Sequence, residues 1–396
     1  MSFIRLPNAS RRGLSLAAAL MLLASLAVMP AGSGLARADD AADPGGTAEA
    51  RTLIVRYRVG VNPRAEAASA RARGIDVRRV FSHVFPGMVV EATDAERAAL
   101  ARDPRVAAVE EDQVVTVSAT TQPDAPWGLD RIDQARLPLS TTYTYGPTGS
   151  DVAAYVIDTG VRGDHEQFEG RAIAGTDVID GTFTDCHGHG THVAGIIAGT
   201  TYGVAKQATI ISVRVLDCGG FGTTSSVIAG LDWVAEHHVA GPAVANMSLG
   251  GIASAAMDTA VKAVIADGVT MVVAAGNDAT SACSSSPARV PAALTIAAST
   301  IQDRPAWFSN SGACVDLFAP GMDITSAWPT STTASQLLSG TSMASPHTAG
   351  AAALVLSGHP AWSPAQVSAS LTKNATKNAL SGVKRGTPNL LLRTGL

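Results

Sequence analysis

Three of the nine histidines in this 396-residue chain lie within six positions, in the segment "DCHGHGTHVAG". His187, His189 and His192 suit two kinds of chemistry, because an imidazole either binds a metal ion or carries protons. A zinc hydrolase built on these three side chains is one hypothesis. It lacks the His-Glu-x-x-His pattern, and no Asp or Glu is placed on the same helix to act as its base. The rest of the chain must decide between the two.

An aspartate and a serine elsewhere in the chain complete a different set. The apolar run in "YVIDTG" ends at Asp158, and "GTSMASPHTAG" places Ser342 just before an apolar helix. Taken singly, Asp158 is typical of a turn or cap and Ser342 of a helix N-cap. Together with His189 they supply what a serine nucleophile needs: an imidazole that takes the hydroxyl proton and a carboxylate that fixes the tautomer of the imidazole. This set predicts nucleophilic catalysis without a catalytic metal.

The segments that must position these residues alternate between strand-like and helix-like patterns. Continuous apolar runs of strand length occupy 152–157, 209–216, 243–249, 269–275 and 293–299. They lack period-two alternation, which is typical of parallel strands buried on both faces. Helix-like segments are His192–Gly199, Ser225–His237, Ala255–Asp267 and Ala344–Ser357. We expect an α/β fold with an open, mostly parallel sheet and helices on both faces, whose functional groups gather at the carboxyl ends of the strands.

A smaller unit precedes this pattern, from Arg51 to about Ala119. Its strand-like and helix-like segments follow the order β-α-β-β-α-β, which predicts a small α+β ferredoxin-like domain. The residues before it, Asp39–Glu49, are small, acidic and rich in Gly and Pro, as in a linker. The predicted boundaries are therefore 1–38, 39–119 and 120–396.

The first 38 residues have the pattern of a secretory signal peptide. Arginines precede an apolar run from Leu14 to Val28, and Ala36-Arg37-Ala38 is an A-x-A cleavage signal. The run is shorter than the roughly 20 residues that a membrane span needs. We therefore expect export with cleavage near Ala38, and no membrane association; an uncleaved anchor is the alternative.

Export bears on the four cysteines, because an oxidising compartment favours disulfides. Four cysteines allow three pairings, among which the two short-range loops are the simplest, and free buried thiols are the alternative.

From Thr120 onward there are 14 Lys and Arg against 20 Asp and Glu, a formal charge of −6. That part of the chain has no basic stripe, so nucleic acid is not an expected partner. Hydrophobic residues make up 46% of the chain, enough for a sizeable core.

Three blocks carry a family resemblance: "VIDTG", "GHGTHVAG" and "GTSMASPH" resemble the signature blocks of the subtilisin-like serine peptidases, or subtilases. The segments "APWGLDRID", "VRVLDC", "ANMSLGG", "AAGND" and "SNSG…DLFAPG" are similar to the proteinase K branch and its aqualysin-type enzymes. The resemblance covers roughly residues 51 to 393. It implies a secreted serine endopeptidase that is synthesised as a self-processed zymogen and acts through an acyl-enzyme intermediate.

The resemblance also implies a role for each matching residue. Ser342 would be the nucleophile, His189 the general base and Asp158 its orienting partner. Asn277, in "AAGN", would donate to the oxyanion together with the backbone N–H of Ser342. Two segments would bind substrate: Ser248, Leu249, Gly250 and Gly251 on one side, and Ala274, Ala275 and Gly276 on the other. Glycine allows close backbone approach, so a wide pocket of broad, apolar or aromatic preference is expected.

The segment Arg51–Ala119 resembles the inhibitory propeptide of these enzymes, which assists folding and is cut off near Ala119. A permanent accessory domain is the alternative. The expected partners are thus protein and peptide substrates and the chain's own propeptide, and the mature enzyme is expected to be a monomer.

The aqualysin-type resemblance implies the disulfide pairing and a structural cofactor. The implied bridges are Cys186–Cys218 and Cys283–Cys314. A structural Ca²⁺ would be bound by Asp316 with main-chain carbonyls, here those of Pro291 and Ala293, because oxygen-only ligation suits this hard cation. A second calcium loop is implied for the segment that contains Asp130, Asp133 and Gln134, and a helix-capping cluster is the alternative there.

Two positions depart from the family pattern. His187 stands where Asn is common before "GHG", and Thr348 replaces the usual Val in "SPHVAG". His187 places a second titratable ring beside His189, so the pH optimum is open. Besides the zinc hydrolase, a catalytically inactive binding protein of the same fold remains an alternative. Such a protein would be free to lose Ser342, His189 or Asn277, yet all three are present.

Overall fold

The computed structural model describes residues 50–112 and 119–395. The described residues form two compact units, 50–112 and 119–395. The predicted signal peptide, 1–38, and the predicted linker, 39–49, lie outside the described residues. No helix among the described residues is long and apolar enough to cross a membrane.

The first unit has the β-α-β-β-α-β order that the sequence predicts. Its elements are β1 (Arg51–Tyr57), α1 (Pro63–Ala72), β2 (Asp76–Phe81), β3 (Gly87–Ala92), α2 (Asp94–Arg102) and β4 (Val106–Glu111). The antiparallel sheet has the order β2-β3-β1-β4. The side chain of Asn62 caps α1, and Thr93 and Glu96 form a capping box at α2. All six elements contribute apolar side chains to one core.

The second unit is built on a nine-stranded sheet of the order β18-β19-β15-β14-β12-β10-β7-β9-β8. Its strands are β7 (Ala153–Asp158), β8 (Ala172–Asp177), β9 (Thr209–Arg214), β10 (Ala243–Met247), β12 (Thr270–Ala274), β14 (Leu294–Ser299), β15 (Leu317–Pro320), β18 (Thr376–Lys377) and β19 (Leu390–Leu391). Only the β18–β19 pair is antiparallel among these described strands. The predicted open, mostly parallel sheet is confirmed.

Three two-stranded ribbons and six helices surround this sheet. The ribbons pair β5 (Thr120–Pro123) with β6 (Thr142–Tyr145), β11 (Gly251–Ile252) with β13 (Ser285–Ser286), and β16 (Ile324–Ala327) with β17 (Ser335–Leu338). The helices are α3 (Trp127–Asp133), α4 (His189–Ala198), α5 (Thr224–His237), α6 (Ala255–Ala266), α7 (Thr341–Gly358) and α8 (Pro364–Asn374). Short 3₁₀ turns occupy Glu166–Phe168 and Ala282–Ser284.

The sheet is buried on both faces, which explains the continuous apolar runs. Successive residues of a strand face opposite sides. In β7, Ala154 and Val156 pack into a core with α3, α4, α7 and α8, whereas Tyr155 and Ile157 pack into a second core with α5 and α6. Helices on both sides bury most positions of the central strands, so apolar residues occupy successive positions there, whereas the edge strand β8 has exposed residues such as Ile173.

Two helices begin earlier than the sequence predicts. Helix α4 begins at His189 rather than His192, because Gly188 before it has a φ of 107°, a left-handed conformation that glycine adopts without a Cβ clash. Helix α7 begins at Thr341 rather than Ala344. Ser342 therefore lies inside the first turn of α7, and not just before the helix as expected.

Candidate active site

Three elements bring Asp158, His189 and Ser342 to one region. Asp158 is the last residue of β7, His189 is the first residue of α4, and Ser342 is the second residue of α7. Strand β10 pairs with both β7 and β12, so the residues that follow these three central strands lie at the same carboxyl edge of the sheet. This is the edge at which parallel α/β sheets gather functional groups.

The contact between Asp158 and His189 is direct. Nδ1 of His189 lies 2.7 Å from Oδ1 of Asp158, an oxygen that also accepts the backbone N–H of Thr159 at 2.8 Å. Asp158 is fully buried. Burial alone would lower the pKa of His189, but the charge of Asp158, its hydrogen bond and the charge of Asp185 raise that pKa above its ordinary value. The imidazole is thus a stronger base than a free histidine.

The hydroxyl of Ser342 makes its hydrogen bond elsewhere. Its Oγ donates to the carbonyl oxygen of Ser248 at 3.1 Å, and Oγ of Ser248 donates back to the carbonyl oxygen of Ser342 at 2.8 Å. In a regular helix the carbonyl of Ser342 would accept from the residue four positions later, but that residue is Pro346, which has no N–H. The Ser248 hydroxyl supplies the missing donor.

The carboxamide of Asn277 is held from one side. Its Oδ1 accepts from the backbone N–H and the hydroxyl of Thr341, at 2.8 and 2.9 Å. Its Nδ2 faces the space beside Gly340, where a Cβ would stand 3.6 Å from this nitrogen and 3.6 Å from the backbone nitrogen of Ser342. Two N–H donors therefore flank a space that the absent side chain of Gly340 leaves open.

The two predicted substrate segments leave neighbouring parallel strands. Ser248 to Gly251 follow β10, with Ser248 buried and both glycines exposed. Ala274 is the last residue of β12, and Ala275 and Gly276 follow it. Gly276 has a φ of 102°, and its N–H donates to the hydroxyl of Thr341 at 3.1 Å. The segments lie on adjacent strands, as the sides of a cleft require.

Sequence reasoning did not identify two side chains that support these segments. Thr341 contacts Gly276 and Asn277, and its position inside the block "GTSMASPH" was the available signal. Asn310 donates from Nδ2 to the carbonyl of Ala275 at 2.9 Å, while its Oδ1 accepts from the N–H of Thr280 at 2.9 Å. The available signal for Asn310 was its position in the segment "SNSG", which resembles the aqualysin-type enzymes, but the turn that it contacts is distant along the chain.

The three clustered histidines do not point at a common centre. Nδ1 of His189 is directed at Asp158, whereas Nε2 of the buried His192 lies 3.1 and 2.9 Å from the carbonyl oxygens of Ile324 and Gln336. Burial lowers the pKa of His192 to about 4. His187 is exposed, and its ring centroid is 6.3 Å from that of His189. These contacts assign different roles to the three rings, contrary to the zinc hypothesis.

Both disulfides have the pairing that the family resemblance implies. Cys186 is bonded to Cys218, and Cys283 to Cys314. The first bond joins the segment that precedes α4 to the turn after β9, next to the predicted base. Nη2 of the buried Arg214 lies 3.5 Å from the sulfur of Cys186. Cys186 is therefore not available as a metal ligand.

The carboxylate of Asp316 fits a hard cation. Its Oδ2 accepts the backbone N–H of Thr295 at 2.8 Å, and burial raises its pKa. Among the described residues no Lys or Arg forms an ion pair with it, so a partly buried carboxylate without a cationic partner lies two residues beyond Cys314. An oxygen donor in this environment suits Ca²⁺, which takes carboxylate and carbonyl oxygens.

The other predicted calcium segment has hydrogen bonds of its own. Both carboxylate oxygens of the buried Asp130 accept hydrogen bonds from Ser140 and Thr141, at 2.6 to 3.0 Å. Asp133 accepts the N–H of Thr144 at 2.6 Å, and Nε2 of Gln134 donates to carbonyls of the same loop. These contacts join α3 to the loop before β6 and to β6 itself, and no side chain caps the N-terminus of α3. The helix-capping alternative is therefore not supported by them, and a calcium ion at this loop remains a prediction.

The comparisons with known proteins agree with this architecture. The Subtilase family profile matches residues 149–389, and the Peptidase inhibitor I9 profile matches residues 57–118. An extracellular serine proteinase of Thermus sp. (strain Rt41A) is 55% identical over 334 residues, which cover 83% of this chain and 81% of that protein. Alkaline serine exoprotease A of Vibrio alginolyticus is 47% identical over 325 residues, 80% of this chain and 60% of its own length.

A solved structure gives the same result. The crystal structure of a cold adapted subtilisin-like serine proteinase aligns with a TM-score of 0.67 and 51% sequence identity, covering 69% of this chain and 99% of that one. Identity this high over a full-length alignment establishes common fold and family. The chain therefore belongs to the subtilase family of serine endopeptidases, with a propeptide of the inhibitor I9 type.

Proposed function

We propose that the chain is a secreted endopeptidase of broad specificity whose nucleophile is Ser342, with His189 as general base and Asp158 as its orienting partner. The observation that carries this proposal is the 2.7 Å contact between Asp158 and His189 at the sheet edge where α7 presents Ser342. The hydroxyl of Ser342 has to turn from the Ser248 carbonyl toward His189, and such bonds often tighten only when substrate is bound.

The proposed reaction has two halves. Oγ of Ser342 attacks the scissile carbonyl carbon while Nε2 of His189 takes its proton, and the carbonyl oxygen becomes an oxyanion between Nδ2 of Asn277 and the N–H of Ser342. Collapse breaks the C–N bond, and the amine leaves with the proton from His189. Water then repeats the sequence on the acyl ester and releases the carboxylic acid. Asp158 keeps the proton on Nδ1 of His189 throughout.

Substrate would lie between the two segments that leave β10 and β12. The exposed Gly250 and Gly251 allow a substrate backbone to approach closely, while Ala274 and Ala275 present only methyl groups. Small walls leave room for a large side chain before the cut. We therefore propose a broad preference for apolar and aromatic residues.

The first domain would be an intramolecular inhibitor and folding aid. The I9 match ends at residue 118, in keeping with a self-made cut near Ala119 and with domains at 39–119 and 120–396. Export would follow removal of a signal peptide near Ala38, and the mature enzyme would act as a monomer. A structural Ca²⁺ would be held by Asp316 with the carbonyls of Pro291 and Ala293, outside the reaction itself.

Processing in vitro tests the proposal. The wild-type chain is refolded and followed by mass spectrometry beside Ser342→Ala. Wild type is expected to lose its first domain near Ala119 and to hydrolyse casein. Treated with a serine-directed sulfonyl fluoride, it is expected to gain the mass of one sulfonyl group on Ser342, with fluoride as the leaving group. Ser342→Ala is expected to keep its first domain. Maturation of the purified variant without another peptidase would contradict self-processing, and an unlabelled, inactive wild type would favour the inactive binding protein.

A further inference from the structure

A second concave site lies at the far end of the helix that carries Ser342. It is a groove of about 930 Å³ between the second half of α7, α8, the turn after β6 and the C-terminal segment 393–395. Ala351 to Gly358 of α7 line it, nine to sixteen residues beyond Ser342, which corresponds to about 13–24 Å along the helix. The groove is therefore separate from the active-site cleft.

The walls of the groove are mostly apolar. Ala351, Leu354 and Val355 of α7 form one side, and Trp362 stacks on His359 with the rings 3.8 Å apart and nearly parallel. Polar side chains that suit peptide groups, including those of Gln366 and Asn374 in α8, line the remainder. This combination of apolar walls with a few polar groups is typical of ligand sites of this size.

Arg393 places a positive charge at the groove. The backbone on either side is held, because the N–H of Leu392 donates to Phe318 at 2.8 Å and that of Thr394 donates to Ile132 at 2.7 Å. The side chain of Leu392 is fully buried, and Arg393 lines the groove. Nε of Arg393 is buried without a hydrogen-bond partner among the described residues. No carboxylate of the described chain forms an ion pair with it.

We propose that this groove binds the C-terminal end of a peptide whose last residue is apolar. A guanidinium matches a carboxylate with two parallel hydrogen bonds, and the apolar wall beside it accommodates the last side chain. Lys373 adds a second positive charge. Among the lining residues that the structure describes, the single acid is Asp133, whose Oδ2 already accepts the N–H of Thr144. The inference rests on the proposed function, because cleavage after apolar residues generates ends of this kind.

Binding of a short peptide acid and its amide tests the proposal. The mature enzyme is blocked at Ser342 with phenylmethanesulfonyl fluoride and titrated calorimetrically with acetyl-Ala-Ala-Leu, as the free acid and as the carboxamide. The acid is expected to bind about tenfold more tightly, because a charge-assisted hydrogen bond is lost with the amide. Arg393→Gln is expected to remove this difference, and Arg385→Gln, an exposed arginine outside the groove, to keep it.

Several outcomes would overturn the proposal. Equal affinity of acid and amide for the wild type would do so, as would an acid preference that survives Arg393→Gln, since binding in the cleft does not depend on Arg393. Laurate has a carboxylate and an apolar tail but no peptide groups. If laurate binds in an Arg393-dependent way and the peptide acid does not bind, the proposal is also wrong. If Arg393→Gln does not fold, Arg393→Lys keeps the charge but loses the paired bonds, and the acid preference is expected to shrink. If the sulfonyl fluoride labels nothing, the proposed function fails, while the acid–amide comparison still applies to the unlabelled chain.

Discussion

Ser248 and Ser342 exchange hydrogen bonds in both directions, the Ser342 hydroxyl to the Ser248 carbonyl at 3.1 Å and the Ser248 hydroxyl to the Ser342 carbonyl at 2.8 Å. The second bond occupies a carbonyl that Pro346 leaves without its helical donor. A predicted substrate segment and the predicted nucleophile are thus tied by one pair of side chains, and Nδ2 of Asn246 extends the pair with a 2.8 Å bond to Ser248.

Ser248→Ala should therefore reduce both stability and turnover. It leaves the Ser342 carbonyl and the Asn246 amide unpaired in a buried site, at a cost of about 1–3 kcal/mol of unfolding free energy. We expect kcat to fall as well, because the first turn of α7, which carries Ser342, loses the hydrogen bond from the Ser248 hydroxyl. Ser326→Ala is the matched control: Ser326 is equally buried and donates to the carbonyl of His192 at 2.8 Å. It should lose stability but keep its kcat, as shown by urea unfolding and by kinetics; equal loss of kcat in both variants would contradict this role for Ser248.

Thr341→Val should lower kcat with little change in KM. The change keeps the shape of the side chain but removes the hydroxyl that orients the Asn277 carboxamide and accepts the N–H of Gly276. The expected loss is about tenfold, the value of one hydrogen bond in a buried site. Asn277→Ala should cost more, about 10²–10³ in kcat, the size of the effect of removing the oxyanion-hole amide of subtilisin. A rise in KM without a fall in kcat would mean that Asn277 binds the ground state.

Gly340→Ala should reduce turnover without unfolding the enzyme. The new methyl group would stand 3.6 Å from both N–H donors that flank the proposed oxyanion space, an ordinary contact distance for the folded chain but a position that a reacting oxygen needs. Gly358→Ala, at the other end of α7, has no atom within 4 Å of its new Cβ and serves as the control. Steady-state kinetics and thermal unfolding of both variants separate these effects. An unchanged kcat for Gly340→Ala would show that the oxyanion lies elsewhere.

Asp158→Asn should change the pH profile as well as the rate. The charge of Asp158 raises the pKa of His189, and activity requires the neutral imidazole, so wild-type activity should fall as the pH drops through that raised pKa. Asn removes the charge, so the acid limb of the remaining activity should move to lower pH, while kcat falls by about 10⁴ as in other serine peptidase triads. The profile of kcat/KM against pH measures both. If the acid limb does not move in Asp158→Asn, the charge of Asp158 is not what raises the pKa of His189.

Calcium removal should shorten lifetime rather than slow turnover. An ion that binds only the folded chain adds RT ln(1 + [L]/Kd), about 2.7 kcal/mol at 100 times Kd. A chelator should therefore leave the initial rate at moderate temperature nearly unchanged and shorten the half-life on heating, and Ca²⁺ rather than Zn²⁺ should reverse the loss. Asp316→Asn should respond to neither treatment, unlike Asp151→Asn, which alters an exposed carboxylate. Prompt loss of activity on chelation, rescued by zinc alone, would restore the zinc hypothesis.

Much of this architecture could be predicted because it follows from local patterns. Apolar runs fix the strands, and in a parallel sheet the residue that ends a run lies at the functional edge. That rule places Asp158 at the edge. His189, at the start of α4, was expected beside it because a serine nucleophile needs both side chains. The start of α4 was missed because it depends on the φ of a single residue, Gly188.

Side-chain directions were beyond the sequence for a different reason. The hydroxyl of Ser342 points to a carbonyl 94 positions away, and the carboxamide of Asn310 holds a turn 35 positions away. Such contacts are decided by the packing of the whole unit, not by neighbours along the chain. The groove beside Arg393 is of the same kind, since its walls come from segments that are distant along the chain.

Helix α7 is buried along nearly all of its length, with apolar or small side chains on every side. It has no polar face that could be exposed to water in a partly folded chain. The stability of the helix therefore depends on packing against the surrounding elements. The proposed nucleophile in its first turn is thus placed only when those layers close around it. An endopeptidase built in this way has no activity until its second unit has folded. Partly folded chains therefore do not cleave one another.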